Sequence, residues 1–414
     1  MNSSDHNRNR FDIERRALLQ QGRALTAGVV AGLAGRRSSA ADMLETFAPA
    51  VPREPSWPLT QVEDPRLGLI IGPGTVLKAD GSPFYFLSII DLDATGGSDY
   101  ALHRIPLAFF GHGVVPDPSN PERAAVFQKK GKGACEVDLV AGEVLRPIET
   151  AANRRFYGHG AYSRDASLLY ATETIVEGDY DGLIAVRDAQ THEDLGEFPT
   201  YGSSPHDCVL VDDGRVLVIT NGGGRRGGVA PSVTYVDVEN QQLLEKLEFS
   251  TPDINAGHLA VSADGDLAVI SAQRDGLKPY ENTGGVTLRP KGGEFRTMAS
   301  PSDVVERLFG ETLSLCIDEQ RRIVAATTPI ANLLTFWNLD TGELVRHYAA
   351  HNPRGISLSL DRRHYVLSYE KPPQLSLLST ETLEQVGGAD LMQTGMSGSH
   401  ILNYSLPARL RTSA

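Results

Sequence analysis

Residues 154–173 read RRFYGHGAYSRDASLLYATE and place His159 between two glycines at the head of a strand-like run. The run breaks at a polar turn around Asp165 and then resumes as a second apolar run. Alternation of apolar and polar residues over about four to eight positions is typical of a β-strand, and a short polar break between two such runs is typical of a hairpin. The stretch therefore predicts two antiparallel strands led by a histidine.

The same phrase recurs along the chain in a constant register. In the copies that start at residues 159, 206 and 258, a histidine lies six residues before an aspartate of the turn. Two further copies keep the aspartate but begin with Thr312 and Gly355, one at His112 has a different turn, and one at His400 is truncated. The starts lie at residues 112, 159, 206, 258, 312, 355 and 400.

Each repeat contains about four short strands, which is typical of one blade of a β-propeller. The seventh start is followed by a single strand, whereas the region before the first start supplies three strand-like segments, LGLII, FYFLSIIDLD and ALHRIPL. The two incomplete parts complement each other. We therefore predict an all-β fold, a seven-bladed β-propeller in which a C-terminal strand closes the last blade and removes its open edges.

Composition excludes some functions. The chain has 414 residues, 41 glycines and 24 prolines, with few long helical patterns, in line with an all-β protein. Its formal net charge of -13 argues against a nucleic-acid partner, because such binding needs a basic surface. The three cysteines, Cys135, Cys208 and Cys316, show no metal-binding spacing and are predicted to be small core residues without disulfides.

The N-terminal region predicts export. Arg15 and Arg16 precede an apolar stretch and then small residues, the pattern of a twin-arginine signal peptide covering residues 1–41. The apolar stretch is too short to remain in a bilayer, so no membrane span is expected in the mature form. We predict that the protein is periplasmic and monomeric. After the signal peptide, we expect a linker or arm over residues 42–67, the propeller over residues 68–405 and a tail over residues 406–414.

Several phrases together resemble a known family. RRFYGHGAYS, LLYATET, SSPHDCVL, VITNGGG, GHLAVSADG and TFWNLDTGELV are similar to a family of twin-arginine-exported propellers catalogued as the domain of unknown function fifteen-thirteen, over residues 68–404. Genes of that family tend to lie beside imelysin-type iron-uptake genes, so the resemblance implies periplasmic metal handling, with iron-uptake proteins as partners and no assigned reaction. It carries over the motif positions His112, His159, Glu173, His206, Asn221, Gly222, His258 and His400.

The register of the histidines predicts where they meet. The first strand of each blade lines the central channel, so residues at its head converge near the axis. Imidazole nitrogens suit transition metals, and we predict an iron or copper ion as the cofactor, with no catalytic residues assigned. The predicted metal ligands are His112, His159, Glu173, His206, His258 and His400. Asn221, Gln273 and Arg274, in the loops after second strands, are the predicted further cofactor contacts.

Three functions remain open on these residues. The first is a non-enzymatic or accessory metal-binding protein of iron uptake. The second is a metal-assisted hydrolase of the lactonase type, with Glu173 or Asp207 as general base, for which an oxygen-rich ligand set is expected. The third is a protein-interaction platform in which the histidines only hold neighbouring blades together.

Overall fold

Seven antiparallel sheets surround a central axis in the computed structural model. It describes residues 64–94, 102–177, 181–370, 372–387, 390–392 and 394–406. The predicted signal peptide, most of the predicted arm and the tail after residue 406 lie outside these ranges. Among the described residues, no helix combines the length and the apolar character needed to cross a lipid bilayer.

Nearly all of the regular secondary structure in the described part of the chain is β-strand. The strands are β1 Leu69–Leu77, β2 Pro83–Asp91, β3 Leu102–Leu107, β4 Gly113–Pro116, β5 Arg123–Phe127, β6 Lys129–Gly131, β7 Ala134–Asp138, β8 Glu143–Pro147, β9 Arg154–Tyr162, β10 Leu168–Ile175, β11 Asp181–Asp188, β12 Asp194–Ser203, β13 Pro205–Val211, β14 Val216–Asn221, β15 Ser232–Asp237, β16 Gln242–Glu248, β17 Leu259–Val261, β18 Leu267–Ser271, β19 Gly285–Arg289, β20 Arg296–Thr297, β21 Ser314–Asp318, β22 Ile323–Thr328, β23 Leu333–Asn338, β24 Leu344–Ala349, β25 Pro353–Leu358, β26 His364–Glu370, β27 Pro373–Ser379, β28 Leu391–Met392 and β29 Leu402–Tyr404. A 3-10 turn, Asp212–Gly214, and one short helix, α1 Ser302–Val305, complete the set.

The prediction of a seven-bladed β-propeller is confirmed. From the inner to the outer strand, blade 1 is β29-β1-β2-β3, blade 2 is β4-β5-β7-β8 and blade 3 is β9-β10-β11-β12. Blades 4 to 7 follow as β13 to β16, β17 to β20, β21 to β24 and β25 to β28. Blade 3 has a fifth strand that the repeat pattern did not predict, because β6 leaves blade 2 and pairs with the inner edge of β9.

The predicted closure is also present. β29 pairs antiparallel with β1, so that Tyr404 lies opposite Leu69 and Leu402 opposite Ile71. The amide of Asn403 donates a further hydrogen bond of 2.8 Å to the carbonyl oxygen of Leu67. The last strand of the described chain therefore completes the first blade.

The hydrophobic core lies between blades. Seven clusters of buried side chains each join one blade to the next. In β22, for example, Val324 and Ala326 face blade 5, whereas Ala325 faces blade 7. Alternate residues of a strand face opposite sides of its blade, and a neighbouring blade covers each side. The strands are therefore apolar along most of their length. Trp337 is fully buried in the cluster between blades 5 and 6.

Buried hydroxyls on second strands link neighbouring inner strands. The Thr220 hydroxyl accepts a 3.0 Å bond from the Asp207 N–H in its own blade and donates a 2.5 Å bond to the Gly257 carbonyl of the next blade. In blade 6 the Thr327 hydroxyl accepts from the Ser314 N–H at 3.2 Å and donates to the Arg354 carbonyl of blade 7 at 2.6 Å. These bonds hold the heads of adjacent inner strands in a common register.

Cys135 and Cys208 are buried, Cys316 is partly buried, and all three are free thiols. The prediction that they form no disulfide is confirmed.

Replacing a linking hydroxyl should weaken the ring. Thr327→Val keeps the shape of the side chain but leaves the Arg354 carbonyl without this partner, so we expect the free energy of unfolding in urea to fall by about 1–3 kcal/mol. Thr327→Ser keeps the hydroxyl and is expected to lose only about 0.8 kcal/mol for the missing methyl group. Equal losses in the two variants would show that the hydroxyl does not link the blades.

Candidate metal centre

Five histidines from five consecutive blades meet at the propeller axis. His400 lies ahead of β29, His112 ahead of β4 and His258 ahead of β17, whereas His159 lies in β9 and His206 in β13. Their ring centroids are separated by 3.8 Å for His258 and His400 and by 5.7 Å for His159 and His206, with the other measured pairs between these values. The structure therefore brings together all five of the predicted histidine ligands.

The glycines beside the histidines leave room for this packing. Gly158 has a φ of +121°, and a Cβ atom there would lie 2.5 Å from Cδ2 of His112. A Cβ at Gly160 would lie 2.5 Å from the carbonyl oxygen of Tyr170 in the neighbouring strand. A side chain at either position would displace a ring or a strand, which explains why His159 lies between two glycines.

Nitrogen atoms, and no carboxylates, converge at the centre. Within the described part of the chain, His112, His159, His258 and His400 form a group whose potential ligand nitrogens all lie within 4.8 Å of one another. Nε2 of His112 lies 3.1 Å from Nε2 of His258 and 3.4 Å from Nε2 of His206. Nε2 of His159 and Nε2 of His400 are buried and have no hydrogen-bond partner.

Contacts on the far side of two rings orient them. Nδ1 of His258 donates to the carbonyl oxygen of Leu313 at 2.7 Å, which leaves the Nε2 lone pair of that ring facing the centre. Nδ1 of His159 lies 3.0 Å from Oδ1 of Asp207. The Asp207 carboxylate is itself held by the N–H groups of Cys208 and Leu259, at 2.8 and 3.1 Å. A carboxylate or carbonyl behind a histidine is the usual second layer of a metal site.

The rings are neutral at neutral pH. Burial lowers the pKa of each of the five imidazoles, and the positive charge of Lys129 lowers each further. The pKa of His159 falls to about 3. Burial raises the pKa of Asp207 to about 7, although the two backbone N–H donors oppose this rise. Neutral imidazole is the form that binds metal ions.

The spacing fits one transition-metal ion. With metal–nitrogen bonds of about 2.1 Å, the ligand nitrogens of a tetrahedral site lie about 3.4 Å apart. In a geometry that has ligands on opposite sides of the ion, those two nitrogens lie about 4.2 Å apart. The 4.8 Å limit of the histidine group exceeds these values by less than about 1.5 Å. Nε2 of His159 and Nε2 of His400 also lack the partners that buried polar atoms require. His112, His159, His258 and His400 thus fit such an ion, with His206 beside them.

The other predicted site residues lie away from this centre. The Glu173 carboxylate is buried, is ion-paired with Arg187 and accepts a 2.8 Å bond from the Thr150 hydroxyl. The amide of Asn221 donates to the Thr234 hydroxyl at 3.0 Å inside blade 4. The Arg274 guanidinium donates to the carbonyl oxygens of Gly224, Arg225, Val229 and Pro252, so it holds the glycine-rich loop of blade 4.

A polar pocket of about 290 Å³ adjoins the histidines. His206 belongs both to the histidine cluster and to the pocket wall. Gln273, the one predicted cofactor contact that faces this pocket, lines it together with Tyr157, Lys129 and Glu311. Oε1 of Gln273 is buried without a hydrogen-bond partner. Of the five clustered histidines, His206 is thus the one that the pocket reaches.

Three charged residues near the cluster were not predicted. Lys129 lies on β6, and its ammonium group is 3.5 Å from the carboxylate of Glu311. Arg354 adds to the positive charge acting on His400. The sequence could have pointed to two of these residues. Glu311 and Arg354 directly precede Thr312 and Gly355, which begin the two repeats without a histidine. Charged residues thus stand next to the axis in the blades that lack an imidazole.

Comparisons with known proteins agree with the fold. A family described as "Protein of unknown function (DUF1513)" matches residues 105–383. The structure of Kuenenia stuttgartiensis hydrazine synthase is similar at 15% identity and a TM-score of 0.58, over 75% of this chain and 96% of that chain. The Cps50 (Swd1) β-propeller domain of Myceliophteria thermophila is similar at 14% identity and a TM-score of 0.52, over 75% and 97%. These likenesses concern the fold alone, and no curated protein matches the chain.

Glu173 should contribute to stability through its ion pair. Glu173→Gln leaves Arg187 as a buried charge without its carboxylate, so the free energy of unfolding should fall by about 3–5 kcal/mol in a urea titration. The same change at the exposed Glu248 should alter it by less than about 0.5 kcal/mol. A loss of similar size in both variants would contradict the buried pair.

Proposed function

Because the chain belongs to the DUF1513 family, for which no function is known, we propose its function from the site itself: it binds a transition-metal ion at the propeller axis. The observation that carries this proposal is the group of four histidines whose ligand nitrogens lie within 4.8 Å of one another. The ion would be held by His112, His159, His258 and His400. His206 would supply a fifth nitrogen ligand or line the access to the site. The ion would supply a redox or Lewis-acid centre.

Nitrogen-rich coordination favours iron or copper over ions that prefer oxygen. The family resemblance adds a context, since its genes tend to accompany iron-uptake genes. We therefore propose that the protein is accessory to iron uptake and works with periplasmic partners of that system, as a monomer. The Arg15-Arg16 pattern supports export to the periplasm by the twin-arginine route.

The hydrolase alternative receives less support from the site. An oxygen-rich ligand set would favour it, whereas the group of ligands at the axis contains nitrogen only. Both proposed general bases are also engaged: Glu173 with Arg187, and Asp207 with His159 and two backbone N–H groups.

The interaction-platform alternative makes the opposite prediction for the histidines. If the rings only join the blades, then replacing them reduces stability and no ligand is lost. Two ring nitrogens, on His159 and His400, make no hydrogen bond to any neighbouring blade, which favours the metal-binding function.

Metal content tests the proposal directly. We expect about one equivalent of iron or copper per chain, by mass spectrometry, in protein isolated from the periplasm. A variant with His112, His159 and His258 changed to alanine should lose that metal, because the two imidazoles that remain, His206 and His400, hold an ion only weakly, while circular dichroism shows that it still folds.

The matched control is His347→Ala. His347 is exposed on β24, the outermost strand of blade 6, whereas the clustered histidines lie in or directly before inner strands. This variant should keep its metal. Protein that contains no metal after anaerobic reconstitution with Fe(II) and with Cu(I), in a folded state, would refute the proposal and favour a platform whose histidines join the blades.

A further inference from the structure

One short strand lies inside the mouth of the central channel. The other six blades have four strands each, but blade 3 has a fifth, β6, which pairs with the axis-facing edge of β9. Lys129 of β6 lies opposite Tyr157, which precedes His159 by two residues. β6 therefore stands just outside the layer of histidines, on the side where the inner strands begin.

An ion pair ties this strand to the opposite side of the ring. The Lys129 ammonium group lies 3.5 Å from the Glu311 carboxylate. Glu311 directly precedes Thr312, the position in the repeat of blade 6 that corresponds to the histidines. Blades 3 and 6 are three places apart in a ring of seven, so they lie on nearly opposite sides of the axis. The contact between them therefore crosses the mouth of the channel.

The ion pair lies between the pocket and most of the histidine cluster. Lys129 and Glu311 both line the pocket of about 290 Å³, but of the five clustered histidines His206 alone does so. The charge of Lys129 nevertheless acts on all five rings. Lys129 is thus close to the four rings that the pocket does not reach, and with Glu311 it separates them from the pocket.

The contacts that hold β6 in the mouth are weak. Its ladder with β9 has two paired positions with a register shift between them. Lys130 has a φ of +57°, in the left-handed region that costs free energy in residues other than glycine. The side chains of Lys129 and Glu311 are 27% and 36% exposed, and water weakens an ion pair at such exposure. A segment held in this way can move while the four strands of blade 3 stay paired.

We propose that β6 is a closure over the histidine cluster, fastened by the ion pair of Lys129 and Glu311, and that a ligand passes from the pocket to the axis when this pair opens. This inference rests on the proposed metal-binding function and adds the control of access to that site. When closed, β6 keeps bulk water from the rings. When open, it exposes their nitrogens to the pocket.

Access to the rings can be measured on the metal-free protein. Diethyl pyrocarbonate is a small uncharged reagent that acylates neutral imidazole nitrogens, and mass spectrometry of peptides gives the labelling rate of each histidine. The exposed His347 provides the reference rate in every variant. In the unmodified protein we expect His159 and His400, whose buried Nε2 atoms have no hydrogen-bond partner, to react at least about tenfold more slowly than His347.

Three variants change the ion pair. Glu311→Lys brings two ammonium groups together, and because like charges repel it should raise the labelling rates of His159 and His400 about tenfold or more. Glu311→Gln removes the attraction alone and should raise them about threefold. The double variant Lys129→Glu with Glu311→Lys exchanges the two charges and restores the attraction, so its rates should return to within about twofold of the unmodified protein.

The matched control is Lys246→Met. The Lys246 ammonium group is exposed on the outer strand β16, where it donates to the Tyr201 carbonyl oxygen at 3.0 Å. Its loss should leave the labelling rates unchanged, and circular dichroism establishes that every variant folds. On protein loaded anaerobically with Fe(II), the rate at which a ferrous chelator extracts the ion should follow the same order as the labelling rates.

The outcomes separate the closure from the metal site. If His159 and His400 of the unmodified protein react as fast as His347, or react equally fast in Glu311→Lys and in the unmodified protein, the inference is overturned and the metal site is unaffected. Rates that stay high in the double variant also overturn it, because the ion pair is then not the cause. If the labelling follows the expected order but neither Fe(II) nor Cu(I) binds, the closure stands and the metal-binding function fails.

Discussion

Hydrogen bonds from second-strand hydroxyls to neighbouring inner strands determine what can meet at the axis of this propeller. The hydroxyls of Thr220 and Thr327 each join the inner strand of their own blade to that of the next blade. Inner strands held in one register present equivalent residues at the same height. Five of those residues are histidines, and a shift of one strand along another would separate the rings.

The histidine cluster that results consists of neutral rings. Imidazoles that are buried and close to Lys129 resist protonation, so the cluster keeps its lone pairs at neutral pH. Asp207 and the Leu313 carbonyl fix the orientation of two rings from behind. The protein thus presents neutral imidazole nitrogens at the axis.

Much of the architecture could be predicted from the sequence, because the repeat encodes it in one dimension. A constant spacing between histidine and turn aspartate is enough to count the blades, to find the closing strand and to place the rings on one axis. The loops after second strands were less predictable. The pairing of β10 with β9 shifts between Ala171 and Glu173, and the Glu173 side chain turns to Arg187 instead of the channel. Lys129 was missed because β6 leaves its own blade, a departure that no repeat pattern contains. The metal, the partner and the export route stay predictions.

The closure of the ring has a consequence for the order of assembly. His400 precedes β29, the strand that completes blade 1, whereas His112 stands at the head of blade 2. A chain growing from its N-terminus can form blades 2 to 7 before residue 400 has left the ribosome, but it cannot bring the fourth imidazole of the group to the axis. The step that seals the ring is therefore also the step that completes the histidine cluster.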